Sequence, residues 1–229
     1  MIYFRHKKRY GAPRITRELT LKASHTRVAR RMKMMNLKAI ARKKYRVTTD
    51  SEHTKPIYSN TLNRDFSTTS TNQKWCGDIT YIATREGWLY LSTVIDLHSR
   101  AVIGWAMSDR LKKQLSCDAL LMALFKRKFP KGVIVHSDRG SQYCSNQYRN
   151  IIEKNKLIGS MSRKGNCWDN AIAESFFHTL KVELIHENRY ATREEARRSI
   201  FQYIEGYYNK KRLHSAIDYR VPFELEYAC

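Results

Sequence analysis

The sequence predicts an α/β protein: a mixed five-stranded sheet flanked by helices, with a small helical segment ahead of it. Three observations carry that expectation. Three successive runs between residues 74 and 108 are rich in β-branched and aromatic residues, as strands are. After them, helical periodicity alternates with short apolar runs, the pattern of a sheet with helices packed on it. Charge and composition also divide the 229 residues into unlike parts.

Residues 1–46 read as a helical, DNA-binding segment. "PRITRELT" is one short amphipathic piece. "SHTRVARRMKMMN" is a second, with Val28, Met32 and Met35 on one stripe, Arg27, Arg30 and Arg31 outside it, and Ser24 placed as N-cap. Two short helices, the second basic, have the outline of a helix-turn-helix. Residues 47–73 are polar and rich in Ser, Thr and Asn, and read as a linker.

From residue 74 to 190 the pattern is that of a sheet domain. "KWCGDITYIAT", "GWLYLSTVID" and "AVIGWAMS" are three antiparallel strands separated by the turn-like "REG" and "LHSR". "KKQLSCDALLMALFKRKF" is a helix that buries Leu115, Leu120, Leu121 and Leu124. "GVIVHSD" is wholly apolar until its end, as an interior strand is. A helix ("SNQYRNIIEKNK") and a strand ("LIGSMS") follow, and then the long helix "NAIAESFFHTLKVELIH". Residues 191–229 extend the core with "TREEARRSIFQYIEGYYNKK", a long helix opened by a Thr192–Glu195 capping box.

The net charge is +22. Residues 1–65 hold 18 Lys and Arg against 4 Asp and Glu, and residues 66–229 hold 25 against 17. A charge so large and so concentrated points to a polyanionic partner, with nucleic acid first. No run approaches eighteen apolar residues, so no membrane partner is expected. The start of the chain lacks the apolar core of a leader peptide. Five scattered cysteines form no CxxC pair and read as reduced thiols of a cytoplasmic, nucleoid-associated protein.

Three carboxylates stand where carboxylates are unwelcome. Asp78 interrupts the first strand, Asp138 ends the buried one, and Glu174 lies among Ala173, Phe176 and Phe177. At about 100° per residue, Ala173, Phe177, Leu180 and Leu184 form the core stripe of that helix. Glu174, His178 and Lys181 run along its border, and Phe176 points to another surface. Convergent carboxylates raise one another's pKa or hold a cation. Oxygen donors suit Mg²⁺, with Mn²⁺ as a substitute. Taken singly, each acid also fits a bulge, a turn or a helix-face charge.

Fifty-nine residues lie between Asp78 and Asp138, and thirty-five between Asp138 and Glu174. With that spacing the chain resembles the integrase-like DDE transposases of bacterial insertion sequences, the OrfB kind that shares its core with retroviral integrases. The segments that carry the resemblance are "YGAPRI", "KKYRVTTDS", "WCGDITYI", "GWLYLSTVIDLHSRAVIGW", "HSDRGSQY", "SMSRKGNCWDNAIAESFFHTLK" and "YYNKKRLHSAIDY". It implies a ribonuclease-H-like core preceded by a helix-turn-helix region. It implies a catalytic, metal-holding triad of Asp78, Asp138 and Glu174. The activity implied is binding of the element's terminal repeats, Mg²⁺-dependent nicking, and transfer of the freed 3′-hydroxyl to target DNA. Lys181 matches a DNA-contacting position.

Arg163 and Lys164, in the loop before that helix, and Arg27, Arg30 and Arg31 are expected on DNA phosphates. His136 and His178 read as packing or supporting groups, and Asp169 as the N-cap of the Glu174 helix. Synapsis of two DNA ends implies a homo-oligomer. Only about ten residues precede "YGAPRI", fewer than the family usually carries, so a truncated form or a fusion with the product of an upstream frame is expected. A ribonuclease-H-like nuclease and a non-catalytic DNA-binding regulator are the alternatives.

Overall fold

A computed structural model describes residues 2–40, 56–164 and 166–226. The first part of the expected linker, residues 47–55, lies outside the described residues, as do "KKYRVTTDS" and Cys229.

The strand-rich region folds as its pattern predicts. β1 (Lys74–Thr84) and β2 (Gly87–Asp96) pair antiparallel, and β3 (Val102–Ser108) adds antiparallel to β2. β4 (Ile134–Ser137) lies parallel to β1, and β5 (Ile158–Met161) parallel to β4. The sheet order is β3-β2-β1-β4-β5, five strands of mixed sense.

Successive strand residues face opposite sides, and the two sides bury two cores. On one side Trp75, Val94 and Ile103 meet α4 (Lys113–Lys126) and α5 (Asn146–Lys154) through Leu120, Leu124, Tyr148 and Ile152. On the other, Cys76, Leu91 and Ile95 meet α6 (Ala171–Glu183) and α7 (Arg193–Phe201) through Ala173, Phe177, Leu180 and Ile200. Each large side chain so buried contributes roughly 1.5–3 kcal/mol. α4 lies directly on β3 because of Gly104, where a Cβ atom would stand 2.2 Å from the Ala119 carbonyl oxygen.

Several expectations change in detail. Leu121 is only half-buried, because it sits at the margin of the α4 stripe. Met35 is exposed, lying just past the end of its helix. α6 stops at Glu183, and its continuation tightens into a 3₁₀ turn, Ile185–Glu187. α7 runs on as a π-helical segment, Gln202–Tyr208, which buries Tyr203, Ile204 and Tyr208. Their spacing of four and five fits the wider i→i+5 turn. The capping box forms, with the Thr192 hydroxyl accepting the Glu195 N–H at 3.1 Å.

The N-terminal segment holds α1 (Ile2–Arg5), α2 (Ala12–Glu18) and α3 (His25–Met34), the last capped by Ser24. Its own core is small: Tyr3, Tyr10, Ile15 and Val28, with Leu213 supplied from the other end of the chain. The Tyr10 hydroxyl accepts the Leu213 N–H at 2.7 Å, and the His6 ring stacks on Tyr10 at 3.8 Å. Residues 56–73, the described part of the expected linker, are packed as well: Leu62 is buried and donates its N–H to Ser160 Oγ at 3.0 Å. The last helix is α8 (Pro222–Glu226). Among the described residues no helix is long and apolar enough to cross a membrane.

Candidate functional site

The parallel pairing of β1 with β4 builds the site. Its register runs Lys74 to Ile134, Trp75 to Val135 and Cys76 to His136. Two residues further at the same offset stand Asp78 and Asp138, the latter the first residue beyond β4. Asp138 therefore lies at the carboxyl end of β4, where open α/β sheets carry their sites, and Asp78 lies in the interior of β1, just past its parallel pairing with β4. Asp78 Oδ1 accepts the N–H of Ile79 at 2.7 Å, and Asp138 Oδ1 accepts that of Gly140 at 2.9 Å. A Cβ on residue 140 would crowd that same oxygen at 2.9 Å, so glycine lets the loop fold over the carboxylate.

The third acid arrives on α6. Asn170, just before the helix, donates its side-chain N–H to the Gly77 carbonyl at 3.3 Å and ties the helix start beside Asp78. Glu174 follows one turn later, half-buried on the border of the core stripe, as its periodicity predicts. Ala173, Phe177, Leu180 and Leu184 are all buried, and Phe176 turns aside to pack on Tyr208 at 4.8 Å.

The electrostatics follow from this gathering. Burial pushes the Asp78 carboxyl well above its usual range, and the charges of Asp138 and Glu174 push it further. The Ile79 N–H and Lys181 act in the opposite sense. Burial also raises Glu174. Asp78 lies in the field of the other two acids, yet among the described residues no three His, Cys, Asp or Glu side chains form a ready-made metal cluster.

Two buried groups complete the floor. His136 sits between the hydroxyls of Ser160 (2.9 Å) and Ser162 (3.0 Å), and burial lowers its pKa to about 4, so it is neutral. Both ring nitrogens are thereby occupied, in keeping with a supporting role. Tyr143, which the sequence reading missed, lies fully buried against Gly77. Burial and the charges of Asp78 and Asp138 push its hydroxyl well above the usual range. The one signal was its position, five residues after Asp138 in "HSDRGSQY".

Asp169 is not the N-cap. A 3₁₀ turn, Cys167–Asn170, precedes α6, and Asn170 occupies the cap position. Asp169 is fully buried, and its carboxylate accepts from the Arg163 backbone N–H (2.9 Å), Arg163 Nε (3.0 Å) and Nη2 (2.9 Å), Arg64 Nε (2.7 Å) and Asn60 Nδ2 (3.0 Å). These partners hold its pKa well below the usual range. Two of them come from residues 60 and 64, more than a hundred positions away, so local pattern pointed to the wrong role.

The basic residues divide. Arg163 is engaged with Asp169, while Lys164 is exposed beside it. Lys181 is half-buried, with its ammonium 5.3 Å from the Tyr81 ring centre. Burial lowers its pKa and the Asp78 charge raises it. Arg27, Arg30 and Arg31 are exposed on α3.

Comparison with known proteins fits this geometry. Integrase core domain families match residues 68–167 and 156–222, and an HTH-like domain matches residues 1–45. The chain is 51% identical over 216 residues to the transposase InsF for insertion sequence IS3A of Escherichia coli (strain K12), covering 93% of this chain and 75% of that protein. It is 44% identical over 218 residues to the insertion element IS600 uncharacterized 31 kDa protein of Shigella sonnei, covering 94% and 80%. Among solved structures it is similar to the HTLV-2 integrase catalytic core domain in complex with magnesium, with TM-score 0.53, 14% identity, and coverage of 69% of this chain and 99% of that one. It is also similar to a chain of the simian T-cell lymphotropic virus intasome in complex with PP2A regulatory subunit B56 gamma, with TM-score 0.59, 15% identity, and coverage of 100% and 74%. At such identities the likeness is one of fold.

Proposed function

The chain belongs to the insertion-sequence transposases with an integrase core, the family of the IS3 transposases, and from that premise we propose that it nicks and joins DNA through Asp78, Asp138 and Glu174 with a divalent cation. Its substrates are the terminal repeats of its own element and target DNA. The single observation that supports this most is the register that sets Asp78 and Asp138 at one offset on neighbouring parallel strands, with the start of the Glu174 helix tied to Gly77 beside them.

The donor set fits the metal. Three carboxylates offer hard oxygen ligands, which suit Mg²⁺ and, as a substitute, Mn²⁺. The HTLV-2 integrase core was solved with magnesium. Asp78 would hold the cation from within β1, Asp138 from the end of β4, and Glu174 from the helix. When bound, such a cation lowers the pKa of a coordinated water or hydroxyl and offsets charge on the leaving oxygen.

The protein's own groups do the rest. Asn170 keeps Glu174 over β1, and Gly140 orients Asp138. Lys181 brings positive charge to the border of the site, near a DNA backbone. Lys164, and Arg27, Arg30 and Arg31 on α3, bind phosphates and make affinity salt-dependent. Arg163 joins them to the extent that Asp169 releases it. The reaction takes place at the nucleoid, in a homo-oligomer that brings two ends together, with a product of an upstream frame as a further partner.

The test is strand joining on a pre-cut element end, comparing the parent with Asp138→Asn and Glu174→Gln. Joined product that depends on Mg²⁺ and falls by about 10³-fold in either variant is expected; removing a single stabilising group costs about that much. Equal activity in parent and variants discards the assignment. Hydrolysis without joining would mark a nuclease, and binding without cleavage a regulator.

A further inference from the structure

Four tryptophans are spread through the chain, and they are treated very differently. Trp75 is completely buried, whereas Trp168 is 70% exposed. It lies in the 3₁₀ turn Cys167–Asn170, between the exposed Lys164 and the start of α6. An indole left so open in water is an exception, since tryptophan is highly buried on average.

The turn that presents it is held firmly. Its next neighbour, Asp169, is buried under five hydrogen bonds from Arg163, Arg64 and Asn60. Asn170 is buried and bonded to the Gly77 carbonyl. With residues 169 and 170 fixed inward, residue 168 is fixed outward. The ring is therefore displayed in advance by a built turn.

Its place relative to the acids is set by helix geometry. From Trp168 to Glu174 the chain passes through the 3₁₀ turn, at about 2.0 Å per residue, and then α-helix, at about 1.5 Å. The axial distance is roughly 10 Å, which is about three nucleotide steps at ~3.4 Å each along one strand. Lys164 and the half-exposed Arg163 stand four and five residues before Trp168 in the chain, so the exposed segment that carries the indole favours a polyanion.

We propose that Trp168 is a stacking site for an unpaired nucleobase of the bound DNA end, two to four nucleotides from the phosphate at the acids. This rests on the reading of the chain as a DNA-joining enzyme. An aromatic face on a basic surface stacks bases with little regard to sequence. A base that leaves the stack beside a cut end would find a second surface in the indole. Specificity for the end would then lie partly in how easily those bases open.

The experiment uses the full chain and an element-end duplex carrying 2-aminopurine, one position at a time, at the four nucleotides on either side of the cut. Parent, Trp168→Ala and Trp168→Phe are compared, with joining measured in parallel. The expected result is a fluorescence change at one or two positions with the parent and with Trp168→Phe, absent with Trp168→Ala. Joining should fall about tenfold in the alanine variant, within the range of one lost base stack, and recover in Trp168→Phe. The same change persisting in Trp168→Ala, or no position-dependent change with the parent, would overturn the proposal. So would a shift in sedimentation of Trp168→Ala alone with its DNA signal intact, since the ring would then contact a second protein copy. The fluorescence arm is repeated on Asp138→Asn. A signal retained there while the acids prove dispensable would sink the catalytic assignment and leave the stacking site standing.

Discussion

Helix α6 is bordered by two kinds of carboxylate, and the fold handles them in opposite ways. At its C-terminal end Glu183 is buried and fully served: Arg212 reaches it at 2.8 and 3.1 Å, Tyr203 donates at 2.9 Å, and Arg14 stands at 3.7 Å. Just before its start Asp169 is served as well. Between them Glu174, with Asp138, adds a like charge to the surroundings of Asp78. The consequence is visible in single groups: Asp169 is held well below the usual carboxylate range, and Asp78 is driven well above it. Burial raises both, but at Asp169 the hydrogen bonds from Arg163 and Arg64 outweigh it, whereas at Asp78 the neighbouring carboxylates add to it. Around Asp169 and Glu183 the fold supplies cations, and around Asp78 it supplies two further carboxylates.

The largest effect expected from breaking this contrast lies at Glu183. Burial works against the charge on Arg212, and Glu183 more than reverses that, raising its pKa. Glu183→Ala would strand Arg212 and release Arg14, which belongs to the N-terminal segment. Removing one partner of a buried pair costs about 3–5 kcal/mol. Urea unfolding should report that loss, while the Arg9 contact to the carbonyl of residue 183 at 3.0 Å, made by the backbone, should survive it. A loss below about 1 kcal/mol would mean that this cluster is dispensable.

Next comes His136, which is buried beneath the acids without a charge of its own. Its folded pKa of about 4 lies below the ordinary value, so the native state binds fewer protons than the unfolded chain between these limits. Stability therefore rises with pH from about 4 to about 6.5 on its account, by up to about 3 kcal/mol. Melting temperatures taken across that window should show the slope, and His136→Gln should flatten it. A slope unchanged in the variant would transfer the effect to other groups.

Asp169 gives a smaller loss at lower pH. Arg163 and Arg64 are each about half-exposed and can turn to water when the carboxylate is removed. Asp169→Asn should therefore cost only about 1–3 kcal/mol. Because the folded pKa is depressed, this contribution is complete above the ordinary carboxylate range and fades as pH falls below about 4. Acid unfolding of parent and variant should converge as pH drops. A gap that stays constant would deny the ionic origin of the clamp.

How much of this was legible beforehand depends on the range of the interactions. The α6 stripe and the border position of Glu174 follow from helical period, and the structure bears them out at Ala173, Phe177, Leu180 and Leu184. The same holds for β1 and β2, read from their β-branched and aromatic residues, and for the caps at Ser24 and Thr192, which are set within three residues. Asp169 was misread because its partners, Asn60 and Arg64, lie in a stretch that composition marks as a linker. The union of Arg14, Glu183 and Arg212 spans most of the chain and leaves no periodic trace. The bond between Asn170 and Gly77 and the burial of Tyr143 arise only once β1, β4 and α6 are assembled. The spacing of the three acids was plain in the sequence; their mutual electrostatics needed the parallel register of β1 and β4.

The sharpest form of the contrast is also its smallest effect, and it has the opposite sign. Asp138→Asn keeps an oxygen able to accept the Gly140 N–H, so the loop retains its bond. It removes the charge that, after burial, does most to push Asp78 up. Asp78 in the parent has a folded pKa above its unfolded value, so the native state binds the extra proton and stability falls as pH rises through that window. With one repelling neighbour gone the penalty shrinks. The variant should be more stable than the parent at neutral pH without divalent ions, by about 1 kcal/mol, the scale of a partly screened charge pair. At pH values below the ordinary carboxylate range the gain should vanish. Added Mg²⁺ should reverse the order, because a ligand that binds only the folded state stabilises it by mass action, and the variant has lost a donor. Thermal melts of both proteins, with and without Mg²⁺, at neutral and acid pH, check all three signs. A destabilised variant at neutral pH without metal would show that repulsion of Asp78 is not the dominant effect of the Asp138 charge.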